Sequence, residues 1–84
     1  MTFKVVWTPH AEAQLAAIWL DSRFRSQLTE AVKHLDDRLE KNALNEGESR
    51  EGTLRITFEP PLGCDFLVDS PRQTVWVIAI WKLE

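Results

Sequence analysis

Arg50 and Arg55 bracket Gly52 at the start of a segment with period-two patterning, and Arg72 sits in a polar turn before the last apolar run. Three guanidinium groups so placed could make a modest anion site, because each presents forked N–H donors to a phosphate or carboxylate. Glu48, Glu51 and Asp69 offer Arg50 and Arg72 a plainer use as solvated ion pairs. Lys82 adds a cation at the end of the last apolar run. His10 opens one helical pattern and His34 lies on the next, both far in sequence from Arg55, so they read as surface or capping residues rather than proton-transfer groups. Cys64 falls on the apolar side of a strand pattern with no base near it, which suits a small buried hydrophobe better than a nucleophile. Two histidines, three glycines and one cysteine do not assemble a metal site, a phosphate-binding glycine loop or a Ser-His-Asp arrangement, so no cofactor and no metal is expected.

The global charge works against a polyanion partner. Ten basic and thirteen acidic residues give a net charge of -3, spread along the chain with no polybasic patch to drive phosphate binding. Nucleic-acid binding would need local geometry to overcome that field, and sequence-specific DNA binding is not expected. The 84 residues fit one domain, 1–84. A core this small leaves a thin stability margin, which a partner could increase. A single cysteine excludes an internal disulfide, and residues 1–7 lack the basic start and apolar run of a secretion signal, so a reducing cytoplasm is the expected compartment. The longest apolar run, Val75 to Trp81, has the length of a buried strand and falls well short of a membrane span.

The elements that would position these side chains follow from periodicity. Phe3, Val5 and Trp7 alternate as a strand, and Thr8-Pro9 stops it with a helix cap followed by proline at the first helical position. Ala11, Leu15, Ile18 and Trp19 share one face of a helix ending near Asp21. A second helix, from Ser22 or slightly later, carries the stripe Phe24, Leu28, Ala31, Val32, Leu35 and Leu39, with Asp36, Asp37, Arg38 and their charged neighbours on a solvated face. Residues 42–52 read as a polar loop of about ten residues. Beyond it Leu54, Ile56 and Phe58 point one way and Arg55, Thr57 and Glu59 the other, and Pro60-Pro61-Leu62-Gly63 turns the chain into a hairpin partner with Cys64, Phe66 and Val68. The last strand, from Val75, is apolar on both faces and belongs in the middle of the sheet. The expected architecture is α+β, in the order β-α-α-β-β-β. It has a mostly antiparallel four-stranded sheet, ordered first, last, third, second, with a two-helix layer on one face and the other face largely uncovered. Four tryptophans cannot all be buried in so small a core, and an exposed one on the open face would suit a partner segment.

These segments resemble the RelE/ParE superfamily of plasmid-stabilisation toxins. The resemblance is carried by WTPHAEAQLAAIW at 7–19, GESREGTLRI at 47–56, PLGCDFLVD at 61–69 and RQTVWVIAIWK at 72–82, in that order and spacing over essentially the whole chain. It implies the toxin of a type II toxin-antitoxin pair, neutralised by a cognate antitoxin that wraps an extended or helical segment around it. Members of the superfamily either cleave messenger RNA at the ribosome or inhibit DNA gyrase, so either target is implied, as is the alternative of a degenerate, non-toxic member acting as a protein-binding module.

Metal-free RNA cleavage needs a base for the 2′-hydroxyl, an acid for the leaving oxygen and cations at the phosphate. Arg55 takes an outward position on its strand, beside the alternating Leu54 and Ile56, and by resemblance matches one of the cationic strand residues of the nuclease branch, with Arg50 and Lys82 completing a candidate catalytic set. Thr57 stands where a second cation would be useful, and Asp65 puts a negative charge where such nucleases often carry arginine. The sequence holds no tyrosine. The set therefore looks incomplete for a nuclease, and the expected antitoxin contacts are Arg55, Trp81 and Lys82.

Overall fold

The computed structural model describes residues 2–51 and 53–83, apart from the side chains of residues 49–51. Strand β1, Lys4–Trp7, leads into helix α1, Pro9–Asp21. Thr8 caps that helix as its sequence predicts: its Oγ1 accepts the Ala11 N–H at 3.2 Å, and Pro9 stands where a missing N–H costs nothing. The same hydroxyl donates to the Val77 carbonyl at 3.0 Å, which ties the helix start to the last strand.

Helix α2, Arg25–Asn42, buries Leu28, Ala31, Leu35 and Leu39. Phe24, expected on that stripe, precedes the first helical turn and is 59% exposed. The Ser22 hydroxyl accepts the Phe24 N–H at 3.0 Å, so the chain here follows a side-chain-bonded turn and leaves the 3.6-residue period.

Among the described residues the remaining strands are β2 (Glu48–Glu51), β3 (Leu54–Glu59), β4 (Leu62–Asp69) and β5 (Thr74–Lys82), in a five-stranded sheet of order β1-β5-β4-β3-β2. β1 runs parallel to β5, and the other pairs are antiparallel. The expected order of elements and of sheet neighbours is present, with β2 added at the edge inside the stretch expected as a loop. A 3-10 turn at Ala43–Asn45 and Gly47, with φ +68°, bring the chain back beside β3. A side chain at Gly47 would strike the Ile56 carbonyl oxygen, so the position needs glycine on both counts. The residues of β2 show no apolar alternation, and an edge strand does not require one.

One core fills the space between helices and sheet. Leu62, Cys64 and Phe66 of β4 face it with Val75, Val77 and Ile80 of β5. Phe66 pairs with Val77 but Asp65 pairs with Ala79, so Ile78 is the extra residue of a bulge. That bulge lets Val77 and Ile80, three positions apart, face the helices together.

The faces of β3 are the reverse of the expected ones. Arg55, Thr57 and Glu59 pair with Phe66, Cys64 and Leu62 and so point toward the helices, while Leu54, Ile56 and Phe58 lie on the open face. The cause is on α2. Arg38, expected on the solvated helix face, donates from Nε to Glu46 Oε2 at 3.0 Å, from Nη1 to Glu59 Oε1 at 2.9 Å and from Nη2 to the buried Thr57 hydroxyl at 2.7 Å. Its Nη1 also reaches the Phe58 carbonyl at 2.9 Å. A guanidinium on this side of the sheet requires polar partners opposite it, and β3 supplies them.

Candidate functional site

Among the described side chains, Arg55, Lys82 and Arg72 do not come together. Arg55 is half-buried, and its Nε and Nη2 donate to the carbonyls of Glu46 and Gly47 at 2.9 and 3.2 Å, pinning the 3-10 turn to β3. Lys82 is exposed at the far end of β5, opposite Leu62. Four residues along β4 and two strand spacings separate it from Arg55, roughly 16 Å between Cα positions at standard strand geometry. The side chain of Arg50 lies outside the described residues. Arg72 stays at its turn, with its Nε 3.8 Å from Asp69 and its N–H donating to the same carboxylate at 3.3 Å. His34 stands on the surface of α2, 3.9 Å from Glu30 and 3.8 Å from Glu59. Cys64 is fully buried, and burial, reinforced by Asp65 and Asp36, pushes its thiol up to about 12, which rules out a thiolate nucleophile at neutral pH.

Two apolar surfaces are left. The first is the open face of the sheet, where Leu54 lines up with Leu67 and Trp76, and Phe58 with Gly63 and Trp81, on either side of Ile56, whose cross-strand partners are Glu48 and Asp65. Trp81 lies across Gly63: a Cβ on that glycine would stand 2.5 Å from the indole, so the absent side chain is what lets the ring lie down. Trp81 therefore faces away from Arg55, on the opposite side of the sheet.

The second surface is a groove of about 550 Å³ between α1 and α2, lined by Trp7, Glu12, Leu15, Ala16, Trp19 and Val32. It continues past Leu15 and Trp19 into a hollow of about 160 Å³ that reaches Leu28 and Thr29. At its inner end the Trp7 Nε1–H donates to Asp36 at 2.8 Å. Burial raises the Asp36 pKa; the Trp7 hydrogen bond works against that rise and Glu40 adds to it. At its outer end the Arg25 guanidinium sits 5.9 Å from the centre of the Trp19 ring and donates to the Trp19 and Leu20 carbonyls at 3.0 and 3.4 Å. Arg25 thus caps the α1 C-terminus, where the helix dipole favours a cation. Trp19, Leu20 and Phe24 are 37%, 75% and 59% exposed at this tip.

Solved structures resemble the whole chain. The RelBE2 toxin-antitoxin complex from Mycobacterium tuberculosis matches with a TM-score of 0.77 at 15% identity, over 98% of this chain and 92% of that one. The chromosomal ParDE toxin-antitoxin system from P. aeruginosa matches with a TM-score of 0.73 at 20% identity, over 99% and 98%. This chain has the RelE/ParE fold. No family model and no curated protein matches it.

On this RelE/ParE fold the side chains singled out from sequence divide between two sides of the sheet. Arg55 faces the helices, Trp81 the open side, and Lys82 the sheet end. The residue that sequence reasoning missed is Arg38. Hydrogen bonding to Glu46 raises its pKa above the ordinary arginine value, with burial opposing and Glu59 assisting. Its position among Asp36, Asp37 and Glu40 on a charged helix face carried no mark of this role; the available signal was the Thr57-Glu59 alternation opposite an otherwise apolar strand. Among the described residues no helix is long and apolar enough to cross a membrane.

Proposed function

We propose that this chain is the toxin component of a type II toxin-antitoxin pair, held by a cognate antitoxin and acting on a protein target of the gyrase kind rather than cutting messenger RNA. The observation that carries the reading is the pairing of two largely apolar surfaces, the open sheet face and the α1–α2 groove, with an Arg55 and a Lys82 that do not converge. Apolar surface of this extent on so small a chain suits a protein partner. A nuclease would need Arg55 directed at a phosphate, and its guanidinium is engaged by the carbonyls of Glu46 and Gly47. The likeness to chains from two toxin-antitoxin assemblies supports an antitoxin as the partner.

The test is induction of the chain alone in a bacterial host, with the product of the neighbouring gene coexpressed in a parallel culture. Arrest relieved by the neighbour, with relaxed plasmid DNA accumulating and messenger RNA intact, is the expected result. Arrest with cleaved messenger RNA would reverse the choice of target. Soluble folded protein without arrest, yet bound by the neighbour, would mark a non-toxic binding module, a reading that the engagement of Arg55 favours.

A further inference from the structure

At the sheet end away from Lys82, a cleft of about 420 Å³ lies between the start of β3 and the β4–β5 turn. Leu67, Pro71 and the Trp76 ring supply its apolar walls, and Thr53 and Ser70 bring hydroxyls to it. Asp69 is the carboxylate among its lining residues, and Arg72 engages it: one oxygen accepts the Arg72 N–H at 3.3 Å and the other lies 3.8 Å from Nε. Among the described residues nothing accepts the Trp76 Nε1–H, and neither hydroxyl is bonded to another residue. The cleft therefore offers hydrogen-bond donors beside apolar walls, with its strongest acceptor already occupied.

The turn on one side of the cleft is fixed before any ligand arrives. The Gln73 N–H donates to the Ser70 carbonyl at 3.0 Å, the Thr74 hydroxyl to the Arg72 carbonyl at 3.0 Å, and the Lys4 N–H to the Gln73 carbonyl at 2.8 Å. A site already in shape loses little entropy on binding.

From this we infer that the cleft takes a proline-rich segment of a partner protein in the polyproline II conformation. Such a segment presents carbonyl acceptors and, at each proline, no N–H, so it asks its host for donors. An indole that packs against prolines while its N–H meets a carbonyl supplies both halves of the recognition. The lengths agree as well. Leu54, Leu67 and Trp76 form a cross-strand row two strand spacings wide, about 10 Å, and one polyproline II turn of three residues rises about 9 Å. A polyol or a cationic side chain fits less well, because each asks for the carboxylate that Arg72 engages. The inference does not rest on the toxin reading, since it concerns the opposite end of the sheet from Trp81 and Lys82.

Titrating the isotope-labelled chain with a blocked peptide of repeated Pro-Pro-Leu triplets, and following the indole N–H resonances by NMR, tests it. The Trp76 resonance, assigned with Trp76→Phe, should move saturably and further than those of Trp7, Trp19 and Trp81. A Gly-Ser peptide of equal length should leave it in place. Trp76→Phe keeps a ring and removes the donor, so affinity read from the Leu67 and Ser70 amides should fall about five-fold, the worth of one neutral hydrogen bond. Thr53→Val combined with Ser70→Ala, both at exposed positions, should weaken binding at least three-fold with Tm unchanged. Should Trp76→Phe fail to fold, that pair decides.

No saturable shift at millimolar peptide, an equal response to the Gly-Ser peptide, or full affinity in a folded variant would overturn the inference. So would movement of Trp19 or Trp81 with Trp76 unmoved, which would seat the peptide elsewhere. Movement of the Trp76 resonance with protein concentration alone would make a second copy the occupant and overturn it too.

Discussion

Replacing Arg38 by methionine keeps an unbranched apolar stem and removes the charge and the donors. Four acceptors lose a partner: the carboxylates of Glu46 and Glu59, the Thr57 hydroxyl and the Phe58 carbonyl. A charge-assisted hydrogen bond contributes about 1.5–3 kcal/mol when shielded from water. The Arg38 side chain is 31% exposed and its carboxylate partners somewhat less, so water recovers part of that. Thr57 is buried and recovers little. The expected net loss is about 3 kcal/mol, or a fall in Tm of roughly 12–20 °C for a domain of this size. Urea unfolding followed by tryptophan fluorescence measures it, and a double-mutant cycle with Glu46→Gln should return a coupling of about 1 kcal/mol. A loss below about 0.5 kcal/mol, or strict additivity in the cycle, would refute the assignment of Arg38 as the clamp between α2 and β3.

Asp36→Asn should stabilise the chain at neutral pH, because burial raises the Asp36 pKa above its ordinary 3.8 and asparagine still accepts the Trp7 N–H. The native state then binds more protons than the unfolded one, so stability is fully present below pH 3.8 and falls as the pH rises through the native pKa; the advantage of the asparagine should shrink on acidification, and a constant difference across urea titrations from pH 3 to 7 would contradict this. Native Cys64 should be inert to a thiol reagent at pH 8 and react at the rate of unfolding, whereas rapid modification of folded protein would contradict its burial. Gly63→Ala should displace the Trp81 indole, shift the tryptophan emission and cost about 1–3 kcal/mol, with most of the cost absent in a Trp81→Ala background. Arg55→Ala should lower stability by about 1–2 kcal/mol through its two carbonyl contacts, and unchanged stability would release Arg55 for an anion.

What was legible in the sequence is local or periodic. Thr8-Pro9 marks the α1 start within two residues, and the two-faced apolar run of β5 fixes its central place in the sheet. What was not legible depends on pairs distant in sequence. Leu54-Ile56-Phe58 reads as the core face of β3 until Cys64 and Phe66 are set opposite Thr57 and Arg55, and until Arg38 arrives from α2. β2 has no period of its own and exists because Gly47 turns it onto β3. The α1–α2 groove was legible only as two apolar helix faces, since Trp7 and Asp36, which meet at its inner end, lie 29 positions apart.

The parallel ladder of β1 on β5 has a consequence for how the protein is made. Lys4 pairs with Thr74 and Trp7 with Val77, so β1 leaves the ribosome well before β5 and must wait for it. Until then the emerging helical hairpin shows the underside of α2, Leu28, Leu35 and Leu39, to whatever is nearby. Sheet closure cannot begin from the N-terminal end, and that interval is when the nascent chain is most open to mispairing with other chains. A binding protein already present when this chain is translated would meet the hairpin before it meets the sheet.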